Sequence, residues 1–246
     1  MSVVVESSLT ADAVLAALVA VAPGQDSKRV RDLQWFFKTE PGGYGEGDSF
    51  LGLTVPQTRV IAKRFKDLPL EEVDALLDSK WHEARLTALH ILVGQYQKAK
   101  TKVLRAELFD FYMQALLRGR INNWDLIDTS APTLGQHLVE HPRKGLILGL
   151  TQSQSVWERR ASIIFTFAHI RAGEFGVPQH IAMKLLGDKH DLIHKAVGWM
   201  LREIGKRDIE VLRAFLAKFN TQMPRTMLRY AIEKMDAAER ARWMAR

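Results

Sequence analysis

The spacing of apolar residues constrains the fold of this chain more than any other feature, because it is helical along most of the sequence. Apolar side chains recur at intervals of three and four residues, which is the period of one face of a helix. The segments with this pattern are residues 84–92, 108–117, 161–170, 193–204 and 209–219. Alternating β-branched runs are absent beyond residues 3–5, which are too short and isolated to build a sheet. The sequence therefore predicts an all-α protein.

The predicted helices form pairs that repeat along the chain. The second helix of each pair is expected to start near Trp81, Asn123, Ser155, Asp191 and Pro224, about 36 residues apart on average. A recurrence of this length predicts a right-handed α-solenoid of antiparallel helix pairs, the architecture of HEAT-like repeats with a concave binding face. We expect a single domain over residues 1–246, with N-terminal helices over 1–66 and helix-pair repeats over about 70–246. A non-repetitive helical bundle would show similar amphipathicity and stays open as the alternative.

The N-terminal region and the composition exclude several classes of protein. The apolar run over residues 11–23 lacks the positive start of a secretory signal, and Thr10 before it is a good helix N-cap. We therefore expect a first amphipathic helix and a cytoplasmic protein. No window approaches the length of apolar sequence that a membrane span requires. The absence of cysteine excludes disulfides, thiolate metal sites and a cysteine nucleophile.

The charge balance indicates what kind of partner the protein binds. The chain has 35 Lys and Arg against 28 Asp and Glu, a net charge of +7 and a pI near 9.7. A surplus of cations attracts polyanions and makes their binding sensitive to salt. The charge therefore favours a nucleic-acid partner. A basic protein with no nucleic-acid role remains the alternative.

The segment after Asn123 carries the first candidate site residues. Trp124 and Asp128 are four residues apart and therefore share one face of the predicted helix, while Leu126 and Ile127 can point into the core. A helix with a buried apolar side and an indole and a carboxylate on another side is expected to present these two groups to a ligand.

Two later helices carry candidate residues at repeat spacing. Arg159 and Arg160 lie about one repeat after Asp128, and a further repeat contains Lys195, Trp199 and Arg202 at i, i+4 and i+7. Stacked repeats would align Trp124, Asp128, Arg160, Trp199 and Arg202 along one groove. Arginine for phosphates, flat aromatics for sugar or base contact and one carboxylate suit a nucleic-acid cleft.

Each of these residues also has a structural interpretation. Tryptophan in a helical repeat is more often part of the core than a ligand contact. Asp128 could accept a hydrogen bond from backbone or form an ion pair with Arg160. Arg159 and Arg160 could belong to a solvated face. The coincidence of the residues at repeat spacing, rather than any single one, favours a site.

Three other patterns are expected to be structural. The i, i+4 histidine pairs His137/His141 and His190/His194 have the spacing of zinc ligands, but we interpret them as solvated histidines at helix ends and predict no metal site. The cluster 35–37 (Trp-Phe-Phe) is expected in the core, although one ring could face a groove. The five-glycine segment 40–53 is expected to be a loop that joins two early helices and uses positive φ angles.

Four motifs together resemble the AlkD-type DNA alkylation repair glycosylases, a family of HEAT-like repeat proteins. They are WDLID at 124–128, WERRA at 157–161, KAVGWMLRE at 195–203 and FLGLTVPQTR at 50–59, within a resemblance that spans roughly residues 28–235. The resemblance implies hydrolysis of the N-glycosidic bond of cationic N3- or N7-alkylated purines in duplex DNA. It also implies that the base stays stacked while the protein holds the DNA backbone.

The resemblance assigns a role to each motif residue. Asp128 would be the catalytic carboxylate, Trp124 and Trp199 would hold the backbone of the lesion nucleotide, and Arg160 would contact a phosphate beside the site. The further residues expected to contact the duplex are Arg202, Arg59, Lys195 and Arg159. The implied partner is double-stranded DNA that contains alkylated purines, and we expect a monomer that needs no cofactor and no metal.

Two other functions remain open at this stage. A non-catalytic solenoid could bind distorted or branched DNA through the same groove, but loss of the Trp, Asp and Arg set would mark such a protein. A protein-binding HEAT scaffold would have an apolar or acidic groove, and it does not explain the surplus of cations.

Overall fold

The structure, a computed structural model, describes residues 9–245, apart from the side chain of Lys144. Its sixteen regular elements in this range are all α-helices. The β-type pairing found there is an isolated bridge between Ser49 and Trp81. The β-branched residues 3–5 lie outside the described residues. The prediction of an all-α protein is confirmed.

The chain divides into two compact units, Met1–Ser130 and Ala131–Arg246. The prediction of a single repeat domain over the whole chain stays a prediction. The helices of the first unit are α1 (Ala11–Ala20), α2 (Lys28–Phe36), α3 (Val55–Arg64), α4 (Leu70–Leu77), α5 (His82–Lys98), α6 (Lys102–Leu117) and the first part of α7 (Trp124–Leu134).

In the first unit α5 is the central helix. It packs against α1, α3, α4 and α6, and most of its residues from His82 to Leu92 are buried. Local signals set where the surrounding helices begin. Thr10 caps α1, and Thr54 and Gln57 form a reciprocal capping box at α3, whose first turn contains Pro56.

The second unit is built around α13, which packs against α10, α11, α12, α14 and α15. Its helices after α7 are α8 (Gln136–Glu140), α9 (Lys144–Thr151), α10 (Val156–Phe165), α11 (Phe167–Arg171), α12 (Gly176–Lys184), α13 (Asp191–Arg207), α14 (Ile209–Phe219), α15 (Arg225–Ala231) and α16 (Ala237–Met244).

The predicted starts of the five paired helices are confirmed to within one residue. The structure begins these helices at His82, Trp124, Val156, Asp191 and Arg225. These starts are predictable because the capping groups lie next to the helices they cap. Ser155, for example, accepts a hydrogen bond from the Glu158 N–H at the first turn of α10.

The glycine-rich segment is the loop between α2 and α3, as predicted. Gly52 has a φ of +88°, and a Cβ there would lie 2.9 Å from the Pro23 ring. At Gly45 a Cβ would lie 2.2 Å from the Phe37 carbonyl oxygen, so only glycine permits the loop to run this close to the end of α2. The loop is therefore packed onto α2 rather than extended into solvent.

Two interpretations of aromatic and histidine clusters are wrong. Of the three rings at 35–37 only Phe37 is buried, while Trp35 and Phe36 are 71% and 52% exposed, because α2 turns one side to solvent. His137 is 1% exposed and packs against the His141 ring, with 5.0 Å between centroids, so it is a core residue and not a solvated one.

No helix in residues 9–245 has the length and apolar character needed to cross a bilayer.

Candidate functional site

The first turns of α7 present Trp124 and Asp128 on one partly exposed side. Leu126 and Ile127 between them are fully buried, as predicted from their spacing. The Asp128 carboxylate lies near enough to the buried Tyr112 phenol for its charge to add to the effect of burial, and both raise the pKa of Tyr112 above its ordinary value. The helix thus combines a buried apolar side with an accessible indole and carboxylate.

Aromatic rings pack against the Trp124 indole. It stacks on Phe37 with 5.4 Å between centroids and 13° between planes, and the edge of Phe36 lies 5.8 Å away. Phe37 is buried and Phe36 is half exposed. One face of the indole is therefore fixed by packing, while the side chain as a whole remains only partly buried.

A cluster of buried charged side chains lies next to this aromatic group. His82 is 2% exposed, and its Nδ1 lies 3.0 Å from Asp48 Oδ2 and its Nε2 lies 2.8 Å from Asp125 Oδ2. Arg85 donates to the other oxygen of Asp48. Since carboxylate oxygens accept hydrogen bonds, both ring nitrogens of His82 must donate, and the ring is an imidazolium. Two carboxylates and two cations balance within the cluster.

The electrostatics of the cluster agree with this geometry. Burial acts to lower the pKa of His82, but the charge and hydrogen bond of Asp125, together with those of Asp48, outweigh it and raise the pKa to about 9. Burial acts to raise the pKa of Asp48, but its hydrogen bond to His82 and the charge of Arg85 hold it below the ordinary value. His82 is therefore charged at neutral pH.

Sequence reasoning missed this cluster. Its members lie in a loop, on α5 and on α7, where Asp48 and His82 are 34 positions apart in the sequence and His82 and Asp125 are 43 positions apart. A signal was present in the segment 82–85, which places three ionisable residues in a helix whose other residues are mainly apolar. Buried ionisable residues need partners, so this segment could have prompted a search for them.

Arg59 lies on the exposed side of α3 at the edge of a groove of about 320 Å³ between α3 and α5. The groove is lined by four cations and a histidine: Arg59, Lys63, Lys66, Lys98 and His90. Burial and the charge of Arg59 lower the pKa of His90 to about 4, so this ring is neutral at pH 7. The lysines were not among the sequence candidates.

Arg160 is the most buried of the predicted site residues in the second unit. Its side chain is 4% exposed, and its guanidinium donates to the Leu192 carbonyl at the start of α13. This bond links α10 to α13, which pack against each other. The predicted phosphate contact of Arg160 stays a prediction.

Arg159 and Lys195 are half-buried and ion-paired. Arg159 Nε lies 2.6 Å from Asp188, and its Nη1 donates to the carbonyls of Ser153 and Gln154. Lys195 Nζ lies 2.7 Å from Asp191 one turn earlier on α13. Both side chains therefore have structural partners in the second unit.

Trp199 and Arg202 lie on α13 and are also half-buried. The Trp199 indole N–H donates to Glu203 at 3.0 Å, and the ring lies 5.9 Å from Phe167. Arg202 forms an ion pair with Glu233. Neither tryptophan of the predicted site is a fully buried core residue.

No cluster of three or more side chains that could hold a metal ion occurs in the described part of the chain. In the second zinc-like pair both histidines have other partners: His190 accepts from the Leu192 N–H and caps α13, and His194 Nε2 lies 2.6 Å from the Asp188 carbonyl.

Comparison with known proteins agrees with this fold. A family described as "DNA alkylation repair enzyme" matches the chain over residues 17–235. The chain is also similar to the solved structure of a "Predicted DNA alkylation repair enzyme from Enterococcus faecalis", with a TM-score of 0.67 and 14% sequence identity, over 87% of this chain and 97% of that one. At this identity the likeness shows a shared fold. No curated protein matches the chain. Because the family match spans most of its length, the chain belongs to the DNA alkylation repair enzyme family.

Proposed function

We propose that the protein is a DNA glycosylase that hydrolyses the N-glycosidic bond of cationic N3- or N7-alkylated purines in duplex DNA, with Asp128 as the catalytic carboxylate. The observation that carries this proposal is the partly exposed placement of Asp128 and Trp124 on α7, one turn apart, opposite the fully buried Leu126 and Ile127. Membership in a DNA alkylation repair family supports the substrate class.

The reaction chemistry explains why one carboxylate is enough. Alkylation at N3 or N7 makes the purine a positively charged leaving group, so its departure needs no strong general acid. As the C1′–N bond breaks, the purine takes the bonding electrons and the deoxyribose becomes an oxocarbenium-like cation. A nearby carboxylate stabilises that positive charge and orients the water that attacks C1′. The route selects lesions by the weakness of the bond and requires no deep pocket for a flipped base.

The other predicted residues, together with two lysines from the groove that Arg59 lines, would bind the DNA. In the first unit, Arg59, Lys63 and Lys98 line a groove in which they have no ion-pair partner among the described residues, and we propose that they contact phosphates. In the second unit, we propose that Trp199 holds the backbone of the lesion nucleotide and that Arg160 contacts a phosphate beside it. The further proposed DNA contacts are Arg202, Lys195 and Arg159.

The test is release of 3-methyladenine or 7-methylguanine from alkylated duplex DNA by the wild type and by Asp128→Asn. We expect the substitution to lower the single-turnover rate by about 10²-fold or more, because it removes the charge that stabilises the sugar cation. The Kd for DNA should change little. Asp26→Asn is the matched control, since it removes one carboxylate charge from an exposed position outside the proposed site.

Equal rates for Asp128→Asn and wild type would remove Asp128 from its proposed role. A wild-type protein that binds duplex DNA tightly but releases no base would instead support the non-catalytic binding of distorted or branched DNA.

A further inference from the structure

The two residues on either side of Trp124 are both anchored to the buried charge cluster. Asn123 Nδ2 donates to Asp48 Oδ2 at 3.1 Å, and its Oδ1 accepts from the Trp124 N–H at 2.9 Å. Asp125 accepts from His82 Nε2 at 2.8 Å. The backbone at Trp124 is therefore held from both sides through Asp48 and His82.

The ring of Trp124 is positioned by the same group. Phe37 stacks on the indole and also contacts the rings of His82 and Phe50, at centroid distances of 4.7 Å and 5.1 Å. The His82 ring in turn stacks on Phe50 at 4.8 Å and 25°. The positions of both the backbone and the side chain of Trp124 therefore depend on the orientation of the His82 ring.

Stability alone is a weak explanation for such a cluster. Taking two carboxylates and two cations out of water costs several kcal/mol per ion, and well-packed apolar side chains would often stabilise a core as well. What a hydrogen-bonded polar network supplies is a defined geometry, because each hydrogen bond has a preferred length and direction. The cluster joins three segments, the glycine-rich loop, α5 and α7, and its bonds meet at the first turn of α7.

We propose that His82 is a positioning residue: as an imidazolium held between Asp48 and Asp125, it fixes the first turn of α7 and thereby the orientation of the Trp124 indole and the Asp128 carboxylate. His82 is buried, so the proposal gives it no direct contact with DNA. The part of the inference that concerns base release rests on the proposed function, whereas the effect on Trp124 does not.

The first test uses NMR of the indole N–H signals, with Trp124 identified by its loss in Trp124→Phe. In the wild type, the Trp124 signal should titrate between pH 7 and 10.5 with the same midpoint as the His82 ring, near 9. The charged groups that face His82 are Asp48 from the loop and Asp125 from α7, while Arg85 on its own helix acts through Asp48. A Trp124 signal that does not follow the His82 titration would overturn the proposal, and this measurement needs no folded variant of His82.

The second test compares His82→Gln with Thr87→Val in single-turnover base release. Thr87 is buried on the same helix, and its hydroxyl donates to the Glu83 carbonyl. Thr87→Val therefore removes one buried hydrogen bond outside the cluster and serves as the matched control. We expect His82→Gln to lower the rate by about tenfold or more with little change in Kd for DNA, since misplacement of a catalytic group costs rate rather than binding. Thr87→Val should stay within about twofold of wild type if only local stability is affected. Equal rates for both variants would contradict the proposal.

Asp125→Asn serves as the conservative variant. A neutral His82 can accept from the Asn amide at Nε2 while donating to Asp48 from Nδ1, so the bridge survives without the charge. We expect base release within about threefold of wild type, together with a lower midpoint for the Trp124 titration because one carboxylate has gone. If Asp125→Asn lowers the rate of base release as much as His82→Gln does, the hydrogen-bonded bridge through His82 does not set that rate, and the proposal is contradicted. If the wild type releases no base, the proposed function fails, and the NMR titration alone decides the role of His82.

Discussion

The two units differ in how their charged side chains are paired. In the first unit, the buried cations His82 and Arg85 are neutralised by buried carboxylates, while the cations around the Arg59 groove, apart from Lys66 beside Asp67, have no ion-pair partner among the described residues. In the second unit, the half-buried cations proposed to bind DNA each have an acidic partner: Arg159 with Asp188, Lys195 with Asp191 and Arg202 with Glu233.

This difference shows that a count of cations is not a count of DNA contacts. A lysine or arginine that has no acidic partner can neutralise a phosphate and release counterions at full effect. A cation that already has a carboxylate partner must share its charge or exchange partners. The net charge of +7 therefore does not say which side chains supply the salt-dependent part of binding.

The largest expected effect is on the free energy of unfolding, and it compares a variant of the buried cluster with a variant of a partly exposed ion pair. Asp48→Ala leaves the buried Arg85 without its carboxylate partner and leaves His82 with Asp125 as its one remaining carboxylate, so we expect a loss of about 3–5 kcal/mol in the free energy of unfolding. Asp188→Ala leaves Arg159 with two carbonyl acceptors and some solvent contact, and should cost about 1–2 kcal/mol. Urea denaturation of both variants provides the measurement. Equal losses would mean that the two regions do not differ in this respect.

The second prediction concerns the pH dependence of stability. The pKa of His82 is raised from 6.5 to about 9 in the folded protein, so its contribution is fully present below pH 6.5 and is lost as the pH rises through about 9. The loss should amount to about 3 kcal/mol across this range. Denaturation at pH 6 and pH 10 for wild type and His82→Gln checks this. If His82→Gln loses as much stability between pH 6 and pH 10 as the wild type does, His82 is not the source of this pH dependence.

The third prediction compares two arginines in DNA binding. Arg59→Ala should reduce the slope of log Kd against log salt by about one, because Arg59 has no ion-pair partner in the described part of the chain and its charge is available to a phosphate. Arg159→Ala should reduce the slope by less, since Asp188 already offsets its charge. Titrations of duplex DNA at several salt concentrations measure both slopes. A larger change for Arg159→Ala would show that the folded-state ion pair does not limit its contact with DNA.

The smallest expected effect belongs to Lys195. Its ion pair with Asp191 spans one turn of α13, and the Lys195 and Asp191 side chains are 40% and 55% exposed. Lys195→Ala should therefore change the free energy of unfolding by about 0.5 kcal/mol or less. Thermal denaturation together with DNA titration would separate this small change in stability from any loss of affinity. A loss above about 1 kcal/mol would indicate a structural role that an exposed pair does not have.

Much of the fold was predictable because its signals are local. Ser155 caps the helix that it precedes, Pro224 is compatible with the first turn of α15, and the spacing of Trp124, Leu126, Ile127 and Asp128 divides α7 into a buried and a partly exposed side. The partners of the charged residues were not predictable in this way. The exposure of Trp35 and Phe36 also depends on which side of α2 the rest of the unit covers.

The sequence by itself determined the helical class, the starts of the paired helices, the surplus of cations and the placement of an indole and a carboxylate one turn apart. Tertiary structure decided which charges are neutralised: it brought Asp48, His82 and Asp125 together and left Arg59, Lys63 and Lys98 without an acidic partner among residues 9–245. The physical reason is distance along the chain. Helical periodicity and capping act over a few residues, whereas burial and ion pairing join residues dozens of positions apart, and only packing of the helices brings those residues into contact.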